Sequence, residues 1–111
     1  MTPAQFALLL ALSQGERHGW GLIKDVEELT GGRIMLGPGT LYRTLQRLRV
    51  DGLIEEIGVD PAAVRADRRA ERQRRYRITK AGLAAARDEA GFLAGLLDQP
   101  PARRLLNDED S

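Results

Sequence analysis

Apolar residues recur along the chain in two periods, and the periods mark out its elements. The first run, Phe6, Ala7, Leu8, Leu9, Leu10, Ala11 and Leu12, leaves no polar face. Thr2, Pro3 and Gln5 ahead of it make a helix start: a capping hydroxyl, a proline at the first helical position and the glutamine of a capping box. A helix from Pro3 to about Ser13 is predicted, apolar all round and therefore covered on more than one side. Leu22, Ile23, Val26 and Leu29 follow at helical spacing, away from Lys24, Asp25, Glu27 and Glu28, and predict a second helix over about 19–29. Trp20, just ahead of Ile23, is placed on its buried side as a core or interface anchor. Leu41, Leu45 and Leu48 give the stripe of a third helix, entered through Pro38 and Thr40 and stopped at Gly52.

The pattern shortens between and after these helices. Arg33–Leu36 reads as a short extended piece, and Leu53–Ile57 and Arg75–Ile78 as the strands of a hairpin. Arg77 pairs with Glu55 or Glu56 across that hairpin. A last helix from Lys80 to Leu97, capped by Thr79, carries Leu83, Ala86, Ala90, Leu93 and Leu97 in a coiled-coil-like seam, widened by Phe92 and Leu96. Pro100 and Pro101 end it, and residues 100–111 read as a flexible, largely polar tail.

Composition narrows the class. With 111 residues, 42% of them hydrophobic and 30% charged, the chain suits one soluble domain. It has no cysteine, which excludes disulfides and thiolate metal sites. No apolar run approaches the ~18 residues of a membrane span. Phe6–Leu12 is short and lacks a basic leader, so a cytoplasmic protein without membrane association is expected. The net charge of +1 hides an uneven distribution: −2 over residues 1–32, +6 over 33–80 and −3 over 81–111. Arginine supplies fifteen of the seventeen positive charges. A basic middle between acidic flanks points to a polyanion.

Catalytic chemistry finds little support. His18 is the only histidine and stands beside Gly19, where a capping or core role is the commoner one. Ser13 and Ser111 have no visible base, and Gly37-Pro38-Gly39 lacks the lysine of a phosphate-binding loop. No enzyme activity, metal or cofactor is expected. The basic residues form two groups instead. Arg43 and Arg47 share one face of the third helix, with Thr40 and Thr44 beside them. Arg65, Arg68, Arg69 and Arg72 lie in the loop between the strands, and Arg74 and Arg75 close it. Such a helix and loop can address DNA bases and phosphates, or can simply be solvated surface.

The order of elements is that of a winged helix-turn-helix, and the motifs sharpen it. His18-Gly19-Trp20, Gly39-Thr40-Leu41-Tyr42, Asp51-Gly52-Leu53-Ile54 and Arg75-Tyr76-Arg77-Ile78-Thr79-Lys80-Ala81-Gly82 follow one another in sequence. Together they resemble the PadR family of transcriptional regulators, in particular its short members with a single C-terminal helix. Trp20 stands where that family most often has tyrosine, and Arg43 where many members have proline. The resemblance implies a mainly α protein with a small β-hairpin. Residues 1–79 would form the winged helix-turn-helix, 80–99 a dimerisation helix and 100–111 the tail. It also implies a dimeric repressor, released in some members by a small hydrophobic or aromatic effector.

Expected DNA contacts are Thr40, Tyr42, Arg43, Thr44, Arg47, Arg68, Arg69, Arg72, Arg74 and Arg75. For Tyr42 a ring packed against the second helix is an equal alternative to a phosphate contact. A single reading helix buries little surface, so a homodimer on a palindromic double-stranded operator is expected. Its interface would comprise Phe6, Leu9, Leu10, Leu83, Ala86, Ala90, Leu93 and Leu97, with Trp20, Phe92 and Leu96 at an effector pocket. The alternative is a winged-helix protein–protein interaction module without DNA binding, whose third helix and hairpin would carry little charge.

Overall fold

The capping box at the start of the chain is formed in full in the computed structural model, which describes residues 1–58 and 74–107. Thr2 Oγ1 accepts from the Gln5 amide at 3.1 Å, and Gln5 Oε1 accepts from the Thr2 amide at 3.0 Å. The elements run α1 (Pro3–Ser13), β1 (Arg17–His18), α2 (Gly19–Leu29), α3 (Pro38–Val50), β2 (Ile54–Ile57), β3 (Arg75–Ile78), α4 (Lys80–Leu97) and α5 (Pro100–Asn107). The strands form one antiparallel sheet in the order β1-β3-β2.

The uniformly apolar α1 is the centre of the core. Ala7, Leu8, Leu9, Ala11 and Leu12 are buried against Leu22 and Val26 of α2, Leu41, Leu45 and Leu48 of α3, Ile54, Tyr76 and Ala86. Each fully buried leucine contributes about 2 kcal/mol of transfer free energy. α1 meets α2, α3, α4 and β3, which is why it needs no polar side.

Three expectations are corrected here. The short strand lies before α2, not after it. β1 pairs Arg17 with Tyr76 and His18 with Arg75, whereas residues 34–37 form no strand. Two residues carry no periodicity, and only the distant β3 makes them a strand. The tail is the second correction. Pro100 and Pro101 end α4 but also open α5, because a proline at the first helical position loses no hydrogen bond. The Arg103 amide donates to the Gln99 carbonyl at 3.0 Å, and the Arg103 side chain pairs with Asp98 at the end of α4. Residues 108–111 lie outside the described residues. The third is Trp20, which is 52% exposed. The buried line of α2 runs Gly19–Leu22–Val26, and Trp20 falls to one side of it.

A compact junction ties the end of α3 to the start of α4. Gly52, with φ +77°, turns the chain out of α3 in the left-handed region that favours glycine. The Thr79 hydroxyl donates to the Gly52 carbonyl at 2.7 Å and accepts from the Gly82 amide at 3.0 Å. The Thr79 amide donates to the Leu53 carbonyl at 3.1 Å. The first turn of α4 lies so close to β2 that a β-carbon on Gly82 would stand 2.0 Å from that same carbonyl oxygen.

Candidate nucleic-acid interface

With Leu41, Leu45 and Leu48 facing inward, α3 turns the opposite side to solvent. That side carries Gly39, Thr40, Arg43, Gln46, Arg47 and Val50, all exposed, with Thr44 half-buried at its edge. Arg43 Nη2 donates to the Thr40 hydroxyl at 3.3 Å, and Arg47 Nε pairs with Asp51 at 3.2 Å. Both guanidinium groups stay at the surface, where such contacts are worth under about 1 kcal/mol and yield to a phosphate or a base. Gln46 is exposed on this side too, although it is not among the contacts expected from the sequence. It falls three residues after Arg43, a spacing that places it on the same face. Its amide can read adenine in a major groove.

Tyr42 does not join this surface. Its hydroxyl is buried, and its ring closes with Tyr76 over Gly19, where an added β-carbon would lie 3.2 Å from each ring. The packing alternative therefore describes Tyr42, and a phosphate contact through its hydroxyl does not. The cause is helical position: Tyr42 lies on the flank of α3 that faces the start of α2 and the sheet.

Arg74 is likewise turned to a protein partner. Its Nε lies 3.2 Å from Glu56 Oε1, while Arg49 Nη1 of α3 lies 2.5 Å from Glu56 Oε2. Arg75 stays half-exposed, 3.9 Å from Glu16. Arg77 takes Glu55, at 2.5 Å, rather than Glu56. The register explains that choice: Glu55 stands opposite Arg77 on the outer face of the hairpin, and Glu56 opposite Tyr76 on the inner face. Arg68, Arg69 and Arg72 lie outside the described residues.

Tyr76 gives the stability of the fold a pH dependence. Burial first, and the neighbouring Glu56 second, push its hydroxyl above the ordinary value of 10.0. The fold holds the neutral phenol. That stabilisation is complete below pH 10.0 and is lost as pH rises through the shifted value. Urea denaturation should show the parent chain losing stability above about pH 10, and Tyr76→Phe losing less over the same range. Equal losses in the two proteins would remove Tyr76 as the cause.

The apolar side chains expected at an interface lie on α1 and α4. Leu10 of α1 and Leu83, Ala90, Phe92, Leu96 and Leu97 of α4 are exposed, and Phe6 and Leu93 are half-buried. Leu105 and Leu106 of α5 are exposed as well. Two residues expected at an interface are not available for one. Leu9 is fully enclosed in the protomer's own core, and Ala86 is 7% exposed on the inward side of α4. Phe92 borders a shallow depression whose lining, Ala84, Arg87, Asp88, Glu89 and Gly91, comes from α4 alone. Trp20 stands on α2, and that depression does not include it.

Among the described residues no helix is long and apolar enough to cross a membrane, and no cluster of side chains could hold a metal ion. The three packed helices, the three-stranded antiparallel sheet and the exposed basic face of α3 define a winged helix-turn-helix regulator. The chain belongs to the transcriptional regulator PadR-like family, whose model matches residues 8–88. That family is one of regulators, not enzymes. The chain is 35% identical over 96 residues to an uncharacterized 37.1 kDa protein in transposon TN4556 of Streptomyces fradiae, covering 84% of this chain and 24% of that protein. It is 40% identical over 50 residues to the transcriptional regulator YqjI of Escherichia coli, covering 45% of this chain and 24% of that protein. The chain thus spans about a quarter of the length of these relatives. Among solved structures, a transcriptional regulator from Clostridium thermocellum superposes with a TM-score of 0.68 at 19% identity, over 96% of this chain and 92% of that one. RosR of H. salinarum superposes with a TM-score of 0.68 at 24% identity, over 97% and 88%. At these identities the likeness is one of fold.

Proposed function

We propose that the chain is a sequence-specific DNA-binding repressor that works as a homodimer. The observation that carries this reading is the division of α3: three leucines wholly buried, and Thr40, Arg43, Gln46 and Arg47 on the exposed side. Arginine and glutamine at helical spacing match guanine and adenine edges in a major groove. The family supports regulation of transcription. Repression is the mode that the resemblance implies.

Pairing would come from the distal half of α4, where residues 94–97 are exposed. Two such helices side by side would cover Phe92, Leu93, Leu96 and Leu97. Two α3 helices related by a dimer axis would read half-sites about 34 Å apart, or a multiple of that. A small aromatic or hydrophobic effector would take its walls from Phe92 and Leu96 at the same interface, where two shallow depressions could close into one pocket.

Sedimentation and DNA titration test the two parts together. The chain should sediment as a dimer at micromolar concentration, and Phe92→Asp with Leu97→Asp should convert it to a folded monomer with weaker DNA binding. Binding to duplex DNA should weaken steeply as salt rises, because each phosphate contact releases counterions. A stable parent monomer would remove the dimer, and no binding at low salt would remove the DNA reading.

A further inference from the structure

We propose that Glu56 is an affinity-limiting residue: it occupies Arg49 and Arg74, two arginines at the seam between the reading helix and the hairpin, and keeps them from DNA phosphates. The proposal rests on the DNA-binding reading above and adds a residue that opposes binding.

The arginines around α3 fall into two kinds. Arg47 is 69% exposed, and its partner Asp51 is itself well exposed. Among the described residues Arg43 meets the neutral hydroxyl of Thr40. These two can exchange their partners for DNA at little cost. Arg49 and Arg74 converge instead on one carboxylate that is only 20% exposed, each on its own oxygen. Glu56 sits on the inward face of β2 opposite the buried Tyr76, and it raises the Tyr76 titration, as expected of a charge close to that ring. An arginine that left Glu56 for a phosphate would leave a half-buried carboxylate short of a partner, beside an incoming polyanion. Such a charge is strongly unfavourable.

Non-specific affinity comes from the cations free to neutralise phosphates, whereas discrimination comes from base contacts. Holding two arginines out of the phosphate-binding pool lowers binding to every sequence and leaves the base-reading face of α3 untouched. Because phosphate contacts are made alike on every sequence, specific and non-specific affinity fall by the same factor, and discrimination stays with the base-reading face. The same two pairs join the last turn of α3 to the foot of the wing, so both DNA-directed elements approach as one body.

The test compares two duplexes: one of mixed sequence, and the tightest binder selected from a library with a randomised core. Glu56→Gln keeps the side-chain shape and removes the charge. Its affinity for the mixed duplex should rise about tenfold, with the slope of log affinity against log salt steeper by about 0.9 for each arginine released. Affinity for the selected duplex should rise by a similar factor, so that the ratio between the duplexes is kept. Glu56→Asp retains the charge and should keep a slope near that of the parent, even where packing is disturbed. Glu56→Gln combined with Arg49→Gln and Arg74→Gln should restore the parent slope, because no arginine is left to release. An unchanged slope in Glu56→Gln, or an equal loss of affinity on both duplexes, overturns the proposal. A parent chain that binds neither duplex overturns the DNA reading and this proposal with it.

Discussion

Replacing Gly82 with alanine should unfold the chain or destabilise it by at least about 3 kcal/mol, at the upper end of what overpacking costs. Alanine ordinarily favours a helix interior over glycine by about 1 kcal/mol. Here the added carbon would stand 2.0 Å from the Leu53 carbonyl oxygen and 2.7 Å from an Ile78 side-chain carbon. Neither can move alone. That carbonyl accepts the Thr79 amide, and Ile78 is paired with Ile54 across the hairpin. Relief would require α4 to lift off the sheet and would break the Thr79 junction. Gly21 of α2 offers the contrast, because nothing lies within 4 Å of the carbon it would gain. Gly21→Ala should raise stability by up to ~1 kcal/mol. Thermal unfolding of the two variants checks both signs, and a Gly82→Ala protein as stable as the parent would refute the close approach of α4 to β2.

Reversing the charge of Arg43 and Arg47 together should reduce affinity for a selected duplex by a factor of about a thousand or more. Each arginine set bidentate on guanine is worth roughly 1–3 kcal/mol, and two acidic replacements add repulsion from the phosphates. Stability should change by no more than about 1 kcal/mol, because the Arg47–Asp51 pair and the Arg43–Thr40 contact both lie at the surface. Circular dichroism and sedimentation of the variant should match those of the parent, so that the loss is one of recognition. If affinity stays within a factor of ten, α3 is not the reading helix.

What the amino-acid pattern reveals follows from how local each feature is. The first four helices begin and end where caps, prolines and apolar spacing place them, because those signals act within a few residues of their cause. β3 is equally plain, from the alternation Arg75-Tyr76-Arg77-Ile78. β1 is invisible because only the distant β3 defines it. α5 is missed because the same prolines that stop one helix can start the next. On α1 an unbroken apolar run cannot say which side faces the protomer's own core, so the pattern leaves Leu9 at an expected dimer interface although it is wholly enclosed. Arg43 and Arg47 stood out from their spacing, whereas the pairing of Arg49 and Arg74 through Glu56 depends on how the hairpin lies against α3. Gly82 shows the limit best: as a letter in a helix it marks weakness, and only the crossing of α4 over β2 makes it indispensable.

The Thr79 junction makes α4 a lever with its fulcrum at the end of α3. An 18-residue helix is about 27 Å long, so a tilt of ~10° at its base moves its tip by roughly 5 Å. The hydroxyl of Thr79 grips Gly52 on one side and Gly82 on the other, so little of that tilt can be absorbed between them. In a dimer paired through α4, the angle at which the two levers cross would set the separation of the two reading helices. A ligand wedged between the tips would then alter the gauge of the pair, and a duplex of fixed pitch would no longer fit both at once.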